Sequence, residues 1–243
     1  MFPTLADQTL ARPDLADLLL EGLARAERFK PTRPMNCLTP TAEVRAEPHD
    51  QAERLDQLLH GETFRVLEES AGWAWGQSAR DGQVGFVRLA DLGPESELPT
   101  HRVAQAWVAV DGRRLPLNAL VVASDGEGLA DLHTFDSDCA EAAERLLGAP
   151  YADGGRTAEG IDGWGLVRQA LFAVGRGAPA LLEDGGISLG RRLAGDESPV
   201  RGDIVLAEGG PGVVCGPGEM IRSRTDTGVA REPLPEEALY FRP

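Results

Sequence analysis

Covalent chemistry in this 243-residue chain could fall to the thiols of Cys37, Cys139 and Cys215, the imidazoles of His49, His60, His101 and His133, or a serine. A thiol attacks a carbonyl as its thiolate, and free thiols are mostly protonated at neutral pH. A cysteine nucleophile therefore needs a helix N-terminus and an imidazole close by. Spacing offers no such group. Every histidine precedes residue 134, Cys215 has no histidine near it in sequence, and Ser188 and Ser223 lack an evident base. The cysteines are odd in number and scattered, without CxxC or metal-ligand spacing, which predicts buried reduced thiols rather than a disulfide framework. No metal or cofactor is expected: Gly209-Gly210-Pro211-Gly212 and Gly216-Pro217-Gly218 lack the order of a phosphate loop and read as turns.

The elements that would position a site divide along the chain. Residues 1–34 read as an N-terminal helical arm, from the apolar spacing of Leu15, Leu18, Leu19 and Leu23 and the stops at Pro31 and Pro34. Residues 35–93 read as short strands, with Thr63-Phe64-Arg65-Val66-Leu67, Trp73-Ala74-Trp75-Gly76-Gln77 and Val84-Gly85-Phe86-Val87 about an Asp81-Gly82 turn, which predicts a compact β-barrel. Residues 94–132 hold two strand-like runs, Arg102 to Val110 and Leu115 to Ala123, joined by Asp111-Gly112, and are taken as a connector or truncated barrel. From 133 to 243 a helix capped by Asp136 or Ser137, with Ala140, Ala143, Leu146 and Leu147 on one face, precedes a second helix from Gly163 to Val174. Strand-like runs follow around Ile204, Val213, Met220 and Val229. The fold class is α+β, helices against an antiparallel sheet.

The second helix begins Gly160-Ile161-Asp162-Gly163-Trp164-Gly165-Leu166-Val167, a frame that resembles the Asp-Cys-Ser-Gly-Leu-Val segment of the NlpC family of papain-like cell-wall cysteine peptidases. Leu147-Gly148-Ala149-Pro150-Tyr151 with Gly154-Gly155-Arg156 is similar to that family's lead-in motif, and Arg201-Gly202-Asp203-Ile204-Val205 to its following strand. Gly72-Trp73-Ala74-Trp75 with Gly85-Phe86-Val87 resembles the bacterial SH3-like modules that commonly precede such domains. The resemblance implies a small SH3-like barrel followed by a papain-like NlpC domain.

It also implies where catalysis should lie, and all three positions depart together. Gly163 stands for the nucleophile, Gly210 (or Pro211, one register away) for the histidine, and Arg222 for the orienting histidine. Loss of one member of such a unit can cost on the order of 10⁶ in turnover. The expectation is a pseudoenzyme, a catalytically inactive homologue acting as a binding or assembly subunit. The alternative is an active γ-D-glutamyl-diamino-acid endopeptidase using displaced residues. Four residues are taken as ligand-binding: Tyr151, Asp162, Trp164 and Arg222. Each keeps a plain structural reading. Asp162 caps the helix or holds an amine, and Trp164 plugs the old cleft or floors a new one. Arg222 pairs with Asp162 or Asp153, or binds a carboxylate. Trp73, Trp75 and Phe86 form a peptide groove or barrel core.

A formal charge of −15 argues against nucleic acid or an anionic membrane as partner. No apolar run approaches the ~20 residues that span a bilayer, and Met1 to Leu20 lacks a secretion signal, so a cytoplasmic protein is expected. The partners expected are a second copy, an active NlpC-type relative, or a peptidoglycan-derived peptide.

Overall fold

A computed structural model describes residues 9–95, 97–124, 126–178 and 189–243. It is mostly sheet with two α-helices among the described residues, and it forms two compact units, one from the first 98 residues and one from most of the remainder.

The first unit is a seven-stranded antiparallel sheet built from β1 (Arg33–Cys37), β2 (Thr41–Arg45), β3 (Arg54–Leu59), β4 (Thr63–Ser70), β5 (Trp73–Ser78), β6 (Val84–Arg88) and β7 (Leu92–Pro94), in the order β3-β2-β6-β5-β4-β1-β7. Alternation along the strands puts Val44, Leu58, Phe64, Val66, Ala74 and Val87 into one core. A β-bulge between Val66 and Glu68 breaks that alternation. Leu67 is thereby buried in a second cluster with Trp75.

The helical arm expected over residues 1–34 is absent from the described part. Residues 9–30 hold a two-residue strand Ala16–Asp17 pairing in parallel with Phe29–Lys30, and one 3₁₀ turn, Leu18–Leu20. Backbone bonds run across the arm, Glu27 N–H to Pro13 O and Ala16 N–H to Arg28 O, while Ala24 N–H to Leu20 O closes one isolated turn. Leu10 and Leu15 are fully buried against the barrel while Leu19 and Leu23 are exposed, so tertiary packing overrode a helical spacing too short to hold alone.

In the second unit the two runs expected in the connector each divide. Trp107–Val110 and Arg113–Pro116 form a hairpin around Asp111 and Gly112, both at positive φ. His101–Val103 instead pairs with Leu120–Val121 and Leu129–Asp131. Asn118 ties this segment inward: fully buried at φ 66°, it donates to Gln169 O and Oε1 at 2.9 and 3.2 Å. Gln169 in turn donates to Leu117 O and Arg156 O at 3.0 and 2.8 Å.

Helix α1 (Cys139–Arg145) is capped by Asp138, which accepts from the amides of Ala140 and Glu141, rather than by Asp136 or Ser137. Asp136 is buried in an ion pair with Arg102 (3.0 Å) and Arg145. Leu147 lies outside the helix and exposed. Helix α2 (Gly163–Ala173) is buried nearly all round, not on one side as its spacing suggested, and Val174 is its C-cap.

Strands β8 (Ile204–Ala207), β9 (Gly210–Gly216), β10 (Glu219–Arg224), β11 (Gly228–Pro233) and β12 (Ala238–Arg242), with Arg191–Arg192 at one edge, make a six-stranded antiparallel sheet. Strand β12, unmarked in sequence, lies between that edge and β8. Arg242 holds both carboxylate oxygens of buried Asp203 at 3.0 and 2.9 Å, fixing the start of β8. Ser188 lies outside the described residues.

Candidate functional site

Helix α2 opens on Asp162, whose extended backbone (φ −89°, ψ 179°) leaves its carboxylate free to turn back on the helix. Oδ1 accepts from Gly165 N–H at 2.5 Å and Oδ2 from Gly154 N–H at 2.9 Å. Each oxygen thus serves a backbone amide, one in the helix and one in the preceding loop. Asp162 is a cap and a loop clamp, with one lone pair of each oxygen committed to a backbone amide.

Gly163, the first helical residue, is buried. A Cβ placed there would lie 3.0 Å from Pro211 Cδ and 3.4 Å from Cγ, tighter than ordinary contact. Pro211, on β9, is the residue that faces the helix start. Gly210 has φ 110°, a backbone that residues with a Cβ rarely adopt. A side chain would thus meet a close contact at 163 and a strained backbone at 210.

Arg222 pairs directly across the sheet with Gly212. Its guanidinium donates to Glu208 O at 2.9 Å and makes an ion pair with Glu232 at 2.5 Å. The expected pairing with Asp162 or Asp153 is therefore replaced by one along the sheet, where strand register sets Glu232 opposite Met220, one diagonal step away. The neighbouring Ser223 points the other way, donating to Ile161 O at 2.6 Å just ahead of the helix.

Tyr151 donates its hydroxyl to Asp153 at 2.6 Å. That bond, with burial and the Asp153 and Asp162 charges, pushes the phenol up to about 12. Trp164 is half-buried, not sunk in the core as the plug reading wanted. Of the two registers the sequence left open, Pro211 is the residue against the helix start. Sequence reasoning missed Glu232 as the partner of Arg222 and Gly154 as the second donor to Asp162. The glycine-proline run was the one signal, and it read as a turn.

None of the cysteines is poised as a thiolate. All three are free and buried. Desolvation pushes Cys37 and Cys139 up to about 12 and raises Cys215 despite Arg231, whose guanidinium sits 3.3 Å from its sulfur. Of the histidines, His49 and His133 are exposed, His60 is half-buried with Nδ1 3.1 Å from Leu38 O, and His101 is buried with Nδ1 2.8 Å from the Thr100 hydroxyl. Among the described residues no cluster could hold a metal ion, and no helix is long and apolar enough to cross a membrane.

In the barrel, the two tryptophans do not form an open groove. Trp73 and Trp75 are 7% and 5% exposed, and each lies under an arginine: Arg88 at 4.8 Å over Trp73, Arg12 at 4.0 Å over Trp75. Phe86 is half-buried beside Trp75.

Residues 44–92 match the family described as the bacterial dipeptidyl-peptidase Sh3 domain. The crystal structure of an NlpC/P60 family protein from Bacillus cereus ATCC 10987 superposes with a TM-score of 0.72 at 15% identity, covering 86% of this chain and 99% of that one. An NlpC/P60 endopeptidase from Photobacterium damselae subsp. piscicida gives 0.56 at 12% identity, over 86% of this chain and 66% of that one. No curated protein matches the chain in sequence. The chain thus carries a bacterial SH3 module and the fold seen in NlpC/P60 proteins.

Proposed function

We propose that this protein is a catalytically inactive homologue of the NlpC-type cell-wall cysteine peptidases and acts as a binding or assembly subunit. The same reading takes residues 133–243 as a papain-like domain with both helices on one face of the antiparallel sheet. The Ser223–Ile161 bond and the approach of Pro211 to Gly163 support that placement for α2.

One observation carries the reading: glycine stands at the expected nucleophile position, and glycine or proline at the expected histidine position, Gly210 or Pro211. Position 163 has a proline ring against it and position 210 a positive φ, so a side chain at either would meet a close contact or a strained backbone. A displaced nucleophile is disfavoured by the raised Cys215 thiol. Tyr151, Asp162, Trp164 and Arg222 remain the residues around which a peptidoglycan-derived peptide would be held. Its other partners in this reading are a second copy of the chain or an active relative, in the cytoplasm.

The test is incubation of the intact protein with an L-alanyl-γ-D-glutamyl-diamino-acid peptide, followed by mass spectrometry. We expect no cleavage, and co-purification of an active relative from native cells. Cleavage that vanishes in Cys215→Ala or Asp162→Asn would sink the pseudoenzyme reading.

A further inference from the structure

The aromatic face of the SH3-like barrel is occupied by the chain itself. Glu68, Trp75 and Phe86 are successive cross-strand neighbours on β4, β5 and β6, presenting a carboxylate beside two aromatic rings. On them sits residues 10–15, Leu-Ala-Arg-Pro-Asp-Leu, closed into a turn by reciprocal backbone bonds between Arg12 and Leu15 of 2.8 and 3.2 Å. Leu10 and Leu15 are buried against Leu67 and Trp75, with Val84 and Phe86 at the margin. Arg12 lies between the two leucines, stacked on the Trp75 ring at 4.0 Å and ion-paired to Glu68 at 2.5 Å. This is how a peptide is read: two apolar anchors fix the position, and a cation over an aromatic ring beside a carboxylate fixes the register.

We propose that this face is a recognition surface for a partner segment carrying an arginine between two aliphatic residues, and that residues 10–15 are its resident, competing ligand. The inference does not depend on whether the second unit is catalytic. One feature makes the Arg12 contact exchangeable: its side chain and Glu68 are each about one-third exposed, at 29% and 34%, so the pair is open to solvent. A site filled in cis binds in trans in proportion to the fraction of time it stands open, so weakening the resident segment must strengthen binding of an outside one.

The test uses the full chain and a fluorescein-labelled peptide with the sequence of residues 9–17, followed by anisotropy. The intact protein is expected to bind it weakly and Arg12→Ala about tenfold or more tightly, since that substitution weakens the resident segment and leaves the face intact. Adding Glu68→Gln to Arg12→Ala is expected to return binding to the weak level. Circular dichroism on each variant keeps the result interpretable, because Arg12 is partly exposed and its loss leaves the barrel core untouched. Equal affinity for the intact protein and Arg12→Ala, or no uptake by either, would overturn the proposal. So would a dimer of the variant that takes up no peptide, which would assign the face to a second copy of the chain.

Discussion

At position 163 the question is whether a side chain can return. Gly163→Cys sets its Cβ 3.0 Å from Pro211 Cδ, and a ring fused to the backbone gives way poorly. We expect a loss of about 1–3 kcal/mol in urea unfolding, relieved by adding Pro211→Ala, and no hydrolysis even with Gly210→His and Arg222→His added. Asp162→Ala removes two amide acceptors at once, and a drop of about 1–2 kcal/mol is expected. Thermal unfolding would read it, and a change under 0.5 kcal/mol (roughly the level of an ordinary surface substitution) would mean the clamp is idle. Asp153→Asn should bring the alkaline titration of Tyr151 down from about 12, because the acceptor that holds its proton loses its charge. Ultraviolet absorbance between neutral and strongly alkaline pH follows that phenol once Tyr240, the second tyrosine, is changed to phenylalanine.

Between elements, two polar groups hold the second unit together. Asp136 receives both Arg102 and Arg145 while almost fully buried. Asp136→Ala leaves the buried Arg102 guanidinium without its counter-charge and should cost about 3–5 kcal/mol, measured in denaturant. Helix α1 is joined to the sheet by Glu144, which takes Arg201 in a two-bond fork at 2.9 and 2.8 Å and Arg231 at 2.7 Å. Arg201 first, then Arg231, draws the Glu144 carboxyl from 4.5 to about 2. A depressed carboxyl stabilises the folded state above its unfolded value and loses that contribution as pH falls through its folded one. Stability should therefore fall between about pH 4.5 and pH 2, and Glu144→Gln should flatten that segment of the curve. An unchanged slope would place the acid sensitivity elsewhere.

For the whole molecule, a net charge of −15 sets the long-range field, and the intact protein is expected not to shift double-stranded DNA in a gel at physiological salt. The barrel strands around Trp73 and Val84, the helix opening at Gly163 and the strands around Ile204 and Met220 were legible from the chain, because each is written in local alternation, a capping aspartate or a glycine stop. The identities at the positions the family resemblance marks, Gly163, Gly210 or Pro211, and Arg222, were read the same way, since identity at a motif position needs no coordinates. The N-terminal arm was not legible: the same leucine spacing suits a helix, and burial of Leu10 and Leu15 on a barrel assembled later in the chain decided otherwise. Strand β12 and the β1–β3 strands went unread because their pairing partners, not their own pattern, make them strands. Only the fold put Pro211 against Gly163, Glu232 beside Arg222 and Arg12 over Trp75, for these depend on register across strands that sequence spacing leaves free.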